Sequence, residues 1–156
     1  MIESLFSGID LAGVGIMFVY ALIASLGVPG ALVLMVSSGA LANNFTGLAF
    51  IMLAAALGAI FGDITAYELA RRFSLALSAK LKGFKFFADN EQKARKQLKK
   101  YEFSFVFFTR FALMSLCAPV SYISGFERLN RKKFLVAVIS GEVLYALIYP
   151  LIGFIF

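Results

Sequence analysis

Between Leu11 and Gly62 the chain carries no charged residue, and apolar positions follow one another without the periodic polar residues that would cover the outside of a water-soluble fold. Lipid is the simpler solvent for such a run. About 20 residues cross the hydrocarbon of a bilayer, so the run is too long for one helix. It is punctuated at Gly27-Val28-Pro29-Gly30 and again at Asn43-Asn44. These breaks predict a hairpin of short helices over about 10–42, with its tip at Pro29 and Gly30, followed by a crossing over about 45–62.

From Asp63 to about residue 102 polar and apolar positions alternate at helical spacing, and Glu91 stands four residues before Arg95, an orientation that supports an exposed helix. This pattern predicts a connector on the membrane surface. Within it, residues 86–101 set Phe86, Phe87, Ala94, Leu98 and Tyr101 among lysines and arginines. The segment either rests its apolar side on lipid or is a solvated link between spans. Phe103 to Phe126 is apolar except for Arg110, is interrupted at Pro119 and Gly125, and has basic flanks on both sides. A segment that enters and returns keeps both flanks on one side, so the pattern predicts a second re-entrant hairpin over about 103–126. The last segment, about 134–156, crosses with Glu142 as its one charge. The expected fold is a single all-α membrane domain over 1–156: two re-entrant helical hairpins and two spanning helices in a pseudo-two-fold inverted repeat, with a basic connector.

Charge refines this picture. All fifteen basic residues fall between Arg71 and Lys133, which places 71–100 and 126–133 in the cytoplasm by the positive-inside bias. The net charge of +6 points to anionic lipid headgroups and away from nucleic acid, because the basic residues flank apolar spans and lack exposed aromatic platforms between them. Glu3 and Asp10 stand where a secretory signal needs basic residues, so the first segment is expected to be retained. Cys117 alone cannot form an internal disulfide, and without histidine the chain lacks the usual ligands for zinc or copper. There is no glycine-rich phosphate loop, and a serine such as Ser115 has no histidine to activate it. No enzyme activity and no cofactor are expected.

Three charged positions inside apolar sequence carry the candidate chemistry. Arg110, among Phe105, Val106, Phe107, Phe108 and Phe111, needs a carboxylate, a phosphate, water or the interface. It is either a functional intramembrane charge or an arginine snorkelling toward the lysines some ten residues before it. Asp63, with Glu68 five residues on, could pair with Arg110, carry a proton, or close a helix end against Arg71 or Arg72. Glu142 lies inside the last apolar segment directly after Gly141 and must face protein or water; it is a candidate partner of Arg110. Asp63, Glu142 and Glu68 are thus the residues expected to balance charge or move protons. Gly58 and Gly62 share a helical face, the small-xxx-small spacing that allows close helix approach.

The stretch Gly58-Ala59-Ile60-Phe61-Gly62-Asp63, followed by Tyr67 and Ala70-Arg71-Arg72-Phe73, resembles the DedA family of bacterial and archaeal membrane proteins, which is related to eukaryotic proteins with the VTT, or SNARE-associated, domain. Val28-Pro29-Gly30 is similar to the family's hairpin tip. Phe107-Phe108-Thr109-Arg110-Phe111, continuing through Pro119, Gly125 and Arg131-Lys132-Lys133-Phe134, is similar to its arginine motif. The resemblance extends over nearly the whole chain.

It implies a membrane protein that translocates lipids between leaflets, as a phospholipid scramblase or a flippase of polyprenyl phosphate, in a bacterial or archaeal cell membrane. Arg110 would then contact a lipid phosphate. The chain departs from many bacterial members at Ala31, where they have glutamate, and at Leu113 and Leu116, which fall on their proline and second arginine. Those departures favour a passive path over a coupled one. A proton-coupled exporter of a small solute or ion is the alternative, and a non-transporting adaptor using segment 86–101 is the third. A homodimer is expected to cover hairpins that reach only partway across the bilayer.

Overall fold

The computed structural model describes residues 11–28, 30–40, 42, 44–83, 85–112 and 116–155. Among the described residues there are seven helices: α1 (Leu11–Ser25), α2 (Ala31–Ala40), α3 (Phe45–Arg72), α4 (Ser74–Lys82), α5 (Lys85–Phe111), α6 (Cys117–Phe126) and α7 (Arg131–Ile155). Of these described helices, only α3 and α7, of 28 and 25 residues, are long and apolar enough to cross a membrane. The chain turns between α1 and α2 through Gly27 and Gly30 at φ of 121° and 110°, a backbone region that favours glycine over any residue with a Cβ. Pro29 lies outside the described residues.

Helix ends follow local chemistry. Asn44 caps α3 by accepting from the Gly47 amide at 2.7 Å, and Arg71 and Arg72 oppose the dipole in its last turn. Asn130 caps α7, accepting from the Lys132 and Lys133 amides at 3.0 and 3.3 Å.

Three boundaries differ from those expected from sequence. The first crossing does not end at Gly62 but runs on to Arg72, so residues 63–72 belong to the long helix and not to the connector. The polar pattern after Asp63 marks a change in what surrounds the helix, and the helix itself continues because its i→i−4 bonds are indifferent to that change. The connector's second half and the arm that follows form one element, α5, broken by non-helical backbone at Tyr101. Finally, Pro119 and Gly125 are not at a tip. Pro119 lies in the first turn of α6, where a missing amide hydrogen costs no helical bond. Gly125 lies in the last turn of α6.

The packing interleaves the two halves. α1 lies on α3 and the arm of α5 lies on α7, whereas α2 packs against α7 and α6 packs against α3. Glycines set each close approach. A Cβ at Gly58 or Gly62 would collide with the α1 backbone at Phe18 or Leu22, one at Gly39 with Pro150 of α7, and one at Gly125 with the α3 backbone at Tyr67. The end of α3 and the start of α7 are held together. Glu68 pairs with Arg131 at 3.0 Å, Tyr67 stacks on Phe134 at 4.4 Å, and the Tyr67 hydroxyl donates to the Leu129 carbonyl at 2.7 Å. The two long helices therefore run antiparallel with their basic ends together.

Candidate functional site

Asp63 and Glu142 stand at comparable depths on these antiparallel helices. At 1.5 Å per residue, Asp63 is about 14 Å from Arg72 and Glu142 about 16 Å from Arg131, near half the roughly 30 Å thickness of a bilayer's hydrocarbon. Each acid directly follows a glycine that lets a neighbouring helix approach: Gly62 meets α1, and a Cβ at Gly141 would sit 2.7 Å from the Arg110 side chain. The glycine in each pair brings the backbone close, and the acid beside it is thereby carried into the interior.

Arg110 fills that interior and is 1% exposed. Its Nη1 donates to the Cys117 carbonyl at 3.0 Å and lies 3.2 Å from Asp63 Oδ1. Nη2 donates to Ser121 Oγ at 2.8 Å, and Ser121 donates in turn to Asp63 Oδ1 at 2.7 Å. On the other side Nε faces Glu142 Oε1 at 3.9 Å, beyond hydrogen-bond reach. The guanidinium is thus held by α3, α6 and α7 at once, and its side chain does not reach back to the basic surface.

The cluster is incompletely satisfied. Asp63 Oδ2 and Arg110 Nε are buried without a hydrogen-bond partner, and so is the Tyr145 hydroxyl one helical turn beyond Glu142 on α7. Two carboxyls and one guanidinium share the space, and α6 meets the turn that follows α1. Tyr122 of α6 donates to the Leu26 carbonyl at 3.3 Å, and a Cβ at Gly27 would lie 3.7 Å from Ala118.

The remaining sequence candidates lie elsewhere. Glu68 pairs with Arg131, not with Arg71 or Arg72, and stays outside the cluster. Arg71 donates to the Tyr67 hydroxyl at 2.6 Å, so this pair joins helix ends and does not enter the site. Arg72 is exposed at the end of α3. Among the described residues no set of three or more histidine, cysteine, aspartate or glutamate side chains is placed to hold a metal ion.

Two participants are not evident from sequence. Ser121 bridges Arg110 to Asp63, yet Ser124, on the same helix, bonds only its own backbone at Val120. Small hydroxyl residues in apolar helices commonly do the latter, so sequence cannot separate the two. Cys117 offers its carbonyl to Arg110 and donates its thiol to the Thr109 carbonyl at 3.0 Å, tying the start of α6 to the end of α5. A single cysteine carries no signal for such a role.

The family model of the VTT domain matches residues 28–155, which includes Asp63, Arg110, Ser121 and Glu142. Neither the curated proteins nor the solved structures gave a match.

Proposed function

The chain belongs to the VTT-domain family of membrane proteins, and from that premise we propose that it moves phospholipids between the leaflets, with Arg110 as the group that receives the lipid phosphate midway. The observation that carries this reading is the buried guanidinium itself. A charge at that depth is costly unless it is paired or lines a polar path, and here the pairing is incomplete, with Nε left without a hydrogen-bond partner. A phosphate presents the same oxygen chemistry as the Asp63 carboxylate and can exchange with it at Nη1.

The proposal includes the architecture. α1 and α2, of 15 and 10 residues, rise only about 22 and 15 Å, less than the hydrocarbon thickness. We read the α1–α2 pair and the α5 arm with α6 as re-entrant hairpins, entering from opposite sides and related by an inverted repeat. The interleaved packing, in which each pair lends one helix to either long helix, supports this. The joined basic ends of α3 and α7 then face the cytoplasm.

A second reading, a proton-coupled exporter of a small solute or ion, draws on one specific feature. Two carboxyls face one guanidinium, and one proton shared between Asp63 and Glu142 would bring the cluster to zero net charge. Loss or gain of that proton would change the charge of the path.

The test is translocation of headgroup-labelled lipid in liposomes containing purified protein, with and without a pH gradient. Movement without a gradient that is lost in Arg110→Ala supports the scramblase. Movement only with a gradient and lost in Asp63→Asn supports a coupled flippase. No movement of any lipid class overturns both lipid readings and leaves the solute exporter or the non-transporting adaptor.

A further inference from the structure

The basic stretch of α5 changes direction at Tyr101, whose backbone is at φ −134° and ψ 36°. An open groove of about 590 Å³ lies at this bend, lined by Lys99, Lys100, Tyr101, Glu102, Phe103 and, from the start of α7, Lys133. Three lysines and a single carboxylate thus line the groove. Glu102 engages Lys133 at 3.0 Å, and the Lys100 ammonium lies 4.9 Å from the centre of the Tyr101 ring.

From these residues we infer that the groove is a binding site for the phosphate of an anionic phospholipid. Its chemistry fits both ends of such a molecule. Lysine ammoniums are compact phosphate ligands on flexible stems, and three against one acid leave an uncompensated positive charge. Tyr101 and Phe103 are half exposed beside them, and aromatic rings of this kind settle where headgroups meet acyl chains. The site's place in the fold also fits a lipid better than a soluble anion. It sits where the polar helix gives way to the apolar arm, with Arg110 about 14 Å farther along that arm. Exposed Lys93 and Lys96, earlier on the same helix, lie outside the groove.

Binding at the groove stands apart from transport; only the further step, that a lipid held here is the one handed on to Arg110, rests on the translocation reading. The experiment therefore measures equilibrium binding. Protein in phosphatidylcholine nanodiscs is titrated with phosphatidic acid, and retained lipid is counted by native mass spectrometry. K99Q/K100Q/K133Q is expected to lower the apparent affinity about a hundredfold, the compounded effect of a roughly fivefold attraction of each juxtamembrane lysine to anionic lipid. Glu102→Gln, which frees Lys133 and removes the competing charge, is expected to raise it, a gain that misfolding cannot produce. K93Q/K96Q is expected to leave it unchanged. The inference is overturned if K93Q/K96Q weakens binding as much as the triple variant, if Glu102→Gln brings no gain, or if millimolar inorganic phosphate displaces the lipid, which would make this a site for a soluble anion. A translocation assay that fails while phosphatidic acid still binds here would count against the proposed function and not against the groove.

Discussion

Ser121 donates to Asp63 across 2.7 Å while its oxygen accepts from Arg110 at 2.8 Å, so one hydroxyl joins α6 to α3 and orients the buried guanidinium between them. Ser121→Ala leaves Arg110 Nη2 and Asp63 without that partner in a buried setting. The expected cost is about 1–3 kcal/mol of stability, read as a lower denaturation midpoint in detergent, with slower lipid movement per folded molecule. Ser124→Ala, which removes only a bond to its own helix backbone, is the comparison and should change both less.

Removing one member of the charge cluster should cost more than removing two. Arg110→Ala strands two buried carboxyls, a loss on the order of 3–5 kcal/mol by analogy with other buried pairs broken from one side. The double variant Arg110→Gln/Asp63→Asn keeps similar volume, leaves one stranded carboxyl, Glu142, instead of two, and should recover part of the stability. Lipid translocation should remain absent in it. Recovery of transport along with stability would show that the arginine is structural.

Gly141→Ala should be harmful out of proportion to one methyl group. The added Cβ would meet the Arg110 side chain at 2.7 Å and the Phe107 carbonyl at 3.0 Å. It pushes α7 away from the α5 arm and so withdraws Glu142 from Arg110. We expect about 1–3 kcal/mol of destabilisation. Gly15→Ala, where nothing lies within 4 Å, should be neutral or stabilising by up to about 1 kcal/mol, since alanine is the better helix former.

Tyr67→Phe separates the lock at the helix ends from the site. It keeps the stack on Phe134 and removes the bonds to the Leu129 carbonyl and from Arg71. Stability is expected to fall by about 1–2 kcal/mol, with translocation per folded molecule unchanged. A selective loss of transport at full stability would mean that this end of the bundle moves during the cycle.

Much of this protein is legible in the chain because lipid imposes a simple rule. Segments without charge between Leu11 and Gly62, a concentration of lysine and arginine after Arg71, and isolated Arg110 and Glu142 already mark apolar helices, a basic face and intramembrane charges. Gly58 and Gly62 announce a close helix contact, and the structure supplies the partner, α1. Where α3 ends is less legible, because backbone bonds carry a helix past the point at which its surroundings turn polar. Pro119 likewise reads as a break but is accommodated in a first turn, where no amide hydrogen is required of it.

The sequence by itself determined that this chain is helical, that it belongs in a bilayer and that Arg110, Asp63 and Glu142 are out of place there without partners. Only the tertiary structure decided that these three meet, that Ser121 and the Cys117 carbonyl complete the grip on the guanidinium, and that Glu68 goes instead to Arg131. The reason is geometric. Asp63, Arg110 and Glu142 lie on three helices joined by long stretches of chain, and which of them can touch depends on how α3, α5 and α7 rotate and approach one another. That arrangement is set by glycine contacts summed across the whole bundle, not by any local pattern.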